Sequence, residues 1–123
     1  MQYFEMDCPC KGKNLDKLLQ PSVLKILYNK SLHGFAIVSE LSEGAMCAGV
    51  QPDAAGVYRY LKKMEASGLL TSSWDTGAKG DKPIKMYEIT AKGKACLMSW
   101  KIALNEYRHC IEGLLDEIDQ LNQ

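Results

Sequence analysis

The chain has 123 residues, 46% of them hydrophobic, which suffices for one domain with a modest core and excludes a multi-domain protein. Lys and Arg number 15 and so do Asp and Glu, so no overall charge draws the chain to an anionic partner, and any such attraction has to come from the arrangement of charges along it. No apolar run is long enough to span a membrane. Five cysteines in a chain that opens MQYFEMDCPC, without an export signal, point to reduced thiols in the cytoplasm rather than a disulfide framework.

Residues 1–14 read as a flexible tail. Cys8 and Cys10 within it offer two thiolates, but a metal site normally needs four ligands, and Cys47, His33 or a second subunit would have to complete the set. The expectation is therefore no bound metal and no cofactor, with a thiol- or metal-responsive role for Cys8 and Cys10 as the alternative.

A domain is expected over residues 15–93. Gln20-Pro21 opens its first helix with Pro at a first-turn position, and Val23, Leu24 and Leu27 give it an apolar stripe up to about Tyr28. His33-Gly34 starts the second helix, where Phe35, Val38 and Leu41 are expected to pack inward and Gly44 ends the periodicity. The connection over residues 45–51 contains Gly49 and is followed by Pro52, and Asp53 can cap a third helix. In that helix Val57, Leu61 and Met64 recur at i, i+4 and i+7 on one buried face, while Arg59, Lys62 and Lys63 cover the rest of its surface. Gly68 stands where a left-handed C-cap is expected.

Residues 69–74 read as a strand, residues 76–82 hold two glycines and two lysines, and residues 84–90 alternate again, so this segment is a hairpin with a long basic tip. Gly77-Ala78-Lys79-Gly80 lacks the Gly-Lys-Ser/Thr ending and the following helix of a phosphate-binding loop, and is read as the tip of a wing. Helices two and three as a helix-turn-helix pair, followed by this hairpin, define a winged helix-turn-helix domain: mainly α with a small β-hairpin. Charge follows the same division, because residues 53–94 carry eight Lys and Arg against five Asp and Glu, whereas residues 95–123 carry two against five. A cationic block beside an anionic one fits phosphate contact by the first and exclusion of DNA from the second.

Residues 94–123 form the last element. Leu97, Trp100, Leu104, Tyr107, Ile111, Leu114, Ile118 and Leu121 repeat at alternating intervals of three and four, a heptad seam along most of a long helix. The seam has to pack on the first helix of its own subunit or on a partner, and its length favours a homodimer. His109 has no partner carboxylate or Ser at suggestive spacing, and no nucleophile or acid/base constellation appears elsewhere, so no enzymatic activity is inferred.

The dispersed residues His33-Gly34-Phe35, Val57-Tyr58, Leu61-Lys62-Lys63-Met64-Glu65 and Gly68-Leu69 resemble the pattern of the PadR-like transcriptional regulators. Trp74, Pro83, Lys85, Tyr87, Ile89-Thr90, Gly93 and Trp100 continue it, so that the resemblance runs over roughly residues 20 to 100. Arg59 stands where that family usually has Pro, Gly56 where Ser or Thr is common, and Ile84 where a wing Arg is usual. The resemblance implies double-stranded DNA as partner, a dimer made by the single C-terminal helix, and a small aromatic effector held between subunits near Trp100. Direct base readers are expected among Tyr58, Arg59, Lys62 and Lys63, Arg59 foremost, with Tyr58 equally suited to packing or to a phosphate. Lys79, Lys82 and Lys85 of the wing are expected to reach phosphates or the minor groove beside each half-site. The reading is a sequence-specific repressor released by its effector. Its alternative is a winged-helix protein-interaction module.

Overall fold

Helix α1 (Leu19–Ile26) carries Pro21 in its first turn, where a missing N–H leaves no gap in the ladder. Its Val23 and Leu24, with Leu27 just beyond, are buried as the apolar stripe requires. The structure, a computed structural model, describes residues 18–44, 52–76 and 82–121. The expected tail with Cys8 and Cys10, the connection with Cys47, and the wing tip with Lys79 lie outside the described residues.

After α1 comes a strand of two residues, β1 (Leu32–His33), and then α2 (Gly34–Glu43). His33 caps α2: its Nδ1 accepts the N–H of Ala36 at 3.3 Å. The buried positions of α2 are Gly34, Ile37, Val38 and Leu41, spaced i, i+3, i+4 and i+7. Phe35, expected to pack inward, is instead 68% exposed. It lies one residue out of phase with that set, about 100° around the helix, and its ring stacks on that of His33 with centroids 6.5 Å apart.

Helix α3 (Ala54–Ala66) begins at Asp53, whose Oδ2 accepts the N–H of Gly56 at 3.2 Å. Val57, Leu61 and Met64 are buried in the core, where α3 packs on α2 and β2, as their spacing requires. The helix ends with Gly68 at φ +82°, the left-handed cap that favours glycine. The N–H of Leu69 reaches the carbonyl of Met64 and that of Gly68 the carbonyl of Glu65, each at 3.0 Å, which satisfies the last helical carbonyls in a Schellman ending. This ending occupies Leu69, so the next strand starts one residue later than its sequence suggests.

Strands β2 (Leu70–Asp75) and β3 (Ile84–Ile89) pair antiparallel with Leu70 opposite Ile89 and Trp74 opposite Lys85. The sheet has three strands rather than a hairpin's two, because Leu32 and His33 pair with Tyr87 and Met86 on the other side of β3, in the order β1-β3-β2. Leu70, Tyr87 and Ile89 turn towards the helices and close the core.

The last helix, α4 (Ala91–Gln120), has 30 residues and is about 45 Å long. Thr90 caps it, its Oγ1 accepting the N–H of Gly93 at 2.9 Å. The same hydroxyl faces the carbonyls of Gly68 and Leu69 at 2.7 and 3.1 Å, and Lys92 Nζ donates to the carbonyl of Ser67 at 2.9 Å. Gly93 is buried in this junction: a Cβ there would lie 2.3 Å from the carbonyl oxygen of Leu69 and 3.3 Å from Leu24 Cδ2. Cys96, Leu97 and Trp100 pack on the core next, and Trp100 Nε1 donates to Gln20 Oε1 of α1 at 2.7 Å. From residue 105 onward the helix stands clear of the rest of the chain.

Gly93→Ala is expected to cost about 1 to 3 kcal/mol of stability, because its new methyl meets a backbone carbonyl that cannot turn aside. Gly113→Ala, on the same helix but with open space around it, is expected to raise stability by up to about 1 kcal/mol. Urea unfolding of the two variants beside wild type measures both.

Candidate nucleic-acid interface

One side of α3 is buried, and the other presents Ala55, Tyr58, Arg59, Lys62 and Ala66 as an exposed stripe at helical spacing, with Lys63 beside it. The first turn of this face is nearly bare, being made of Ala54, Ala55 and Gly56. A Cβ at Gly56 would come 3.7 Å from Arg59 Nη2, so the guanidinium lies back along that turn. Gly56 and Arg59, two of the places where the sequence departs from the pattern it resembles, are thus neighbours in space.

Tyr58 is 41% exposed, yet its ring is pressed against α2. A Cβ on Gly34 would sit 2.2 Å from Tyr58 Cε1, so only glycine lets the aromatic ring lie where it does. This contact joins the start of α2 to the middle of α3 and holds the angle between the two helices of the helix-turn-helix. Packing is the role for which Tyr58 has a visible partner.

On the wing, Lys82 is exposed at the base of β3. Lys85, expected to be a free phosphate ligand, is engaged within the protein: its Nζ lies 3.2 Å from Glu65 Oε1 of α3 and 5.4 Å from the centroid of the Tyr87 ring. The other carboxylate oxygen of Glu65 accepts the hydroxyl of Ser72 on β2. The Ser72 hydrogen bond, helped by Lys85 and opposed by partial burial, holds the Glu65 carboxyl below its ordinary value of 4.5. The hydrogen bond with Glu65 in turn raises the Lys85 ammonium above its ordinary 10.5. Glu65 was not singled out as a site residue from sequence, although it is the one carboxylate in the exposed run after Asp53 and follows Lys62 by a single helical turn.

The heptad seam divides in two. Leu97 and Trp100 lie on the protein's own core and Leu104 is partly buried, whereas Tyr107, Ile111, Leu114, Ile118 and Leu121 are 47% to 81% exposed. His109 does have a carboxylate neighbour, Glu112 at 3.8 Å one turn on, and both side chains are well exposed to solvent. Among the described residues no group of His, Cys, Asp and Glu could hold a metal ion, and no helix is long and apolar enough to cross a membrane.

Comparison with known proteins gives a consistent picture. The model of the transcriptional regulator PadR-like family matches residues 23–99. A PadR family transcriptional regulator from Eggerthella lenta has a similar structure, with a TM-score of 0.78 at 27% identity over 94% of this chain and 96% of that one. A PadR-like transcriptional regulator from Bacillus cereus shares the fold, with a TM-score of 0.70 at 19% identity over 84% and 96% of the two chains. Bacillus subtilis PadR, solved in complex with operator DNA, is similar over 69% of this chain and 46% of its own, at 26% identity and a TM-score of 0.60. Among curated proteins nothing matches.

Because the Glu65 carboxyl releases its proton more readily in the folded chain than in the unfolded one, its contribution to stability is complete above pH 4.5 and disappears as pH falls through the lowered value. Wild type is expected to melt higher than Glu65→Gln at pH 7, by no more than about 1 kcal/mol for so exposed a pair. That advantage should shrink steadily below pH 4.5, as thermal melts of the two proteins across the range will read.

Proposed function

The chain belongs to the PadR-like family of transcriptional regulators, and on that premise we propose that it is a cytoplasmic, homodimeric repressor that binds operator DNA and is released by a small aromatic effector. The family regulates transcription and its members are not enzymes. The observation that carries the reading is the exposed face of α3, where Arg59, Lys62 and Lys63 lie opposite the buried Val57, Leu61 and Met64. A helix held so by its core offers cationic side chains and a nearly bare first turn to a major groove.

In this proposal Arg59 makes a bidentate contact to guanine, Lys62 and Lys63 serve bases or phosphates beside it, and Lys79 and Lys82 of the wing neutralise phosphates. One recognition helix covers only a few base pairs. Two, about 34 Å apart in a twofold dimer, read half-sites in successive major grooves. The bare part of the α4 seam, from Tyr107 to Leu121, supports such a dimer, since exposed apolar side chains at heptad spacing lose their contact with water when a second copy covers them. The working division of the chain is then a tail over residues 1–14, a DNA-binding head over 15–93 and a dimerising helix over 94–123. A dimer seated on promoter DNA represses by occupying it. An effector against Trp100 acts on the contact with Gln20, hence on the angle between α1 and α4, and shifts DNA affinity if it binds the two arrangements unequally.

Arg59→Ala is expected to weaken operator binding by about 1 to 3 kcal/mol and to relax the preference at one position, whereas Lys82→Ala should weaken all sequences alike and lower the salt slope by about 1. Selection of DNA by the purified wild type, followed by titration of both variants, checks this. An unchanged preference in Arg59→Ala would remove Arg59 as a reader, and a wild type without salt-dependent DNA binding would turn the reading towards a protein-interaction module.

Ile111→Asp is expected to break the dimer, since it sets a carboxylate into an apolar seam without a partner. Leu104→Asp should act the same way while also disturbing the head. Sedimentation gives the oligomeric state, and an unaltered dimer in Ile111→Asp would move the interface off this helix.

A further inference from the structure

Glu65 occupies the border between the buried and the cationic sides of α3, one turn after Lys62. A bare carboxylate at that border would repel any phosphate that approaches Arg59 and Lys62. Both of its oxygens are nevertheless engaged, one by the Lys85 ammonium at 3.2 Å and the other by the Ser72 hydroxyl. The cluster therefore spans three elements, α3, β2 and β3. It ties the hairpin to the helix from the Ser72–Tyr87 pair outward, past the buried Leu70 and Ile89. Strand alternation turns Lys85 to the helix side while its neighbour Ile84 faces the other way, so the ammonium meets Glu65 and the face of the Tyr87 ring.

We infer that Lys85 and Glu65 are positioning residues of the DNA interface: Lys85 cancels the Glu65 charge and fixes the wing against α3, and it assists DNA binding through Glu65 rather than by touching phosphate. The inference rests on the DNA-binding reading above. It assigns to Lys85 a different task from that of Lys82, although both are wing lysines.

The test combines Lys85→Ala with the double variant Glu65→Gln, Lys85→Ala, titrated by fluorescence anisotropy against DNA selected by wild type over a range of salt. Lys85→Ala should bind about tenfold more weakly at low salt, with a deficit that narrows as salt rises, because the stranded Glu65 carboxylate repels phosphate through a screened charge. Adding Glu65→Gln should bring affinity back to within about threefold of wild type, because the stranded carboxylate is gone. A double variant no stronger than Lys85→Ala alone would assign Lys85 to a phosphate and overturn the inference. Hydrogen exchange without DNA gives a readout independent of the regulatory reading. Amides of residues 72–75 and 84–87 should exchange about tenfold faster in Lys85→Ala and in the double variant while those of α1 and α2 keep their wild-type rates, which also shows that the head is folded. Equal exchange in the wing would refute the tie between wing and helix even if every protein binds DNA. A wild type that fails to bind DNA would sink the regulatory reading while leaving the exchange result to decide whether the tie exists.

Discussion

The end of α3 and the start of α4 are held together through three consecutive carbonyls. Ser67 receives the Lys92 ammonium, while Gly68 and Leu69 face the Thr90 hydroxyl and Leu69 also accepts the Thr90 N–H. These carbonyls follow a helix terminus, where backbone acceptors need partners from elsewhere, and here the partners come from the cap of the next helix. Gly93 allows the approach by presenting no side chain to the Leu69 carbonyl. Consequently the helix that carries the exposed cations and the long helix that carries the apolar seam begin from one rigid knot.

A second set of contacts holds the head from the other side. Gln20 of α1 accepts the Trp100 indole N–H, the Lys94 ammonium lies 5.1 Å from the Tyr28 ring centroid, and Leu24 meets Gly93. The first third of α4 is thus part of the core, and the remainder, from residue 105 onward, is exposed. One uninterrupted heptad pattern thus runs from side chains buried in the head to side chains exposed beyond it, because spacing sets which face is apolar and the neighbouring surface sets what is buried.

Zero net charge and a cationic face are compatible because charge acts locally when exposed groups more than about a Debye length apart are screened from one another. The acidic half of α4 leads away from the head, and Lys30 is occupied by Glu40 at 2.8 Å. On α3 itself Glu65 is neutralised by its neighbours, so Arg59, Lys62 and Lys63 make up the charge that the exposed stripe presents.

Much of this was legible in the order of residues. Periodicity identified the four helices and the buried faces of α1 and α3, Gly68 and Asp53 marked the ends of α3, and alternation marked β2 and β3, because caps and amphipathic stripes are properties of residues close together in the chain. The fold class and the cationic face of α3 follow from those local rules. What needed tertiary structure were contacts between residues far apart. A strand of two residues has no period, so β1 exists only because β3 lies beside it. Phe35 looked like a core residue, but the phase of α2 is decided by where α1 and α3 lie, and they cover Gly34, Ile37, Val38 and Leu41 instead. Lys85 looked like any wing lysine until folding brought Glu65, twenty residues earlier, within 3.2 Å of it. Spacing along the chain determines which face a side chain can share; only the packed chain determines what stands opposite that face.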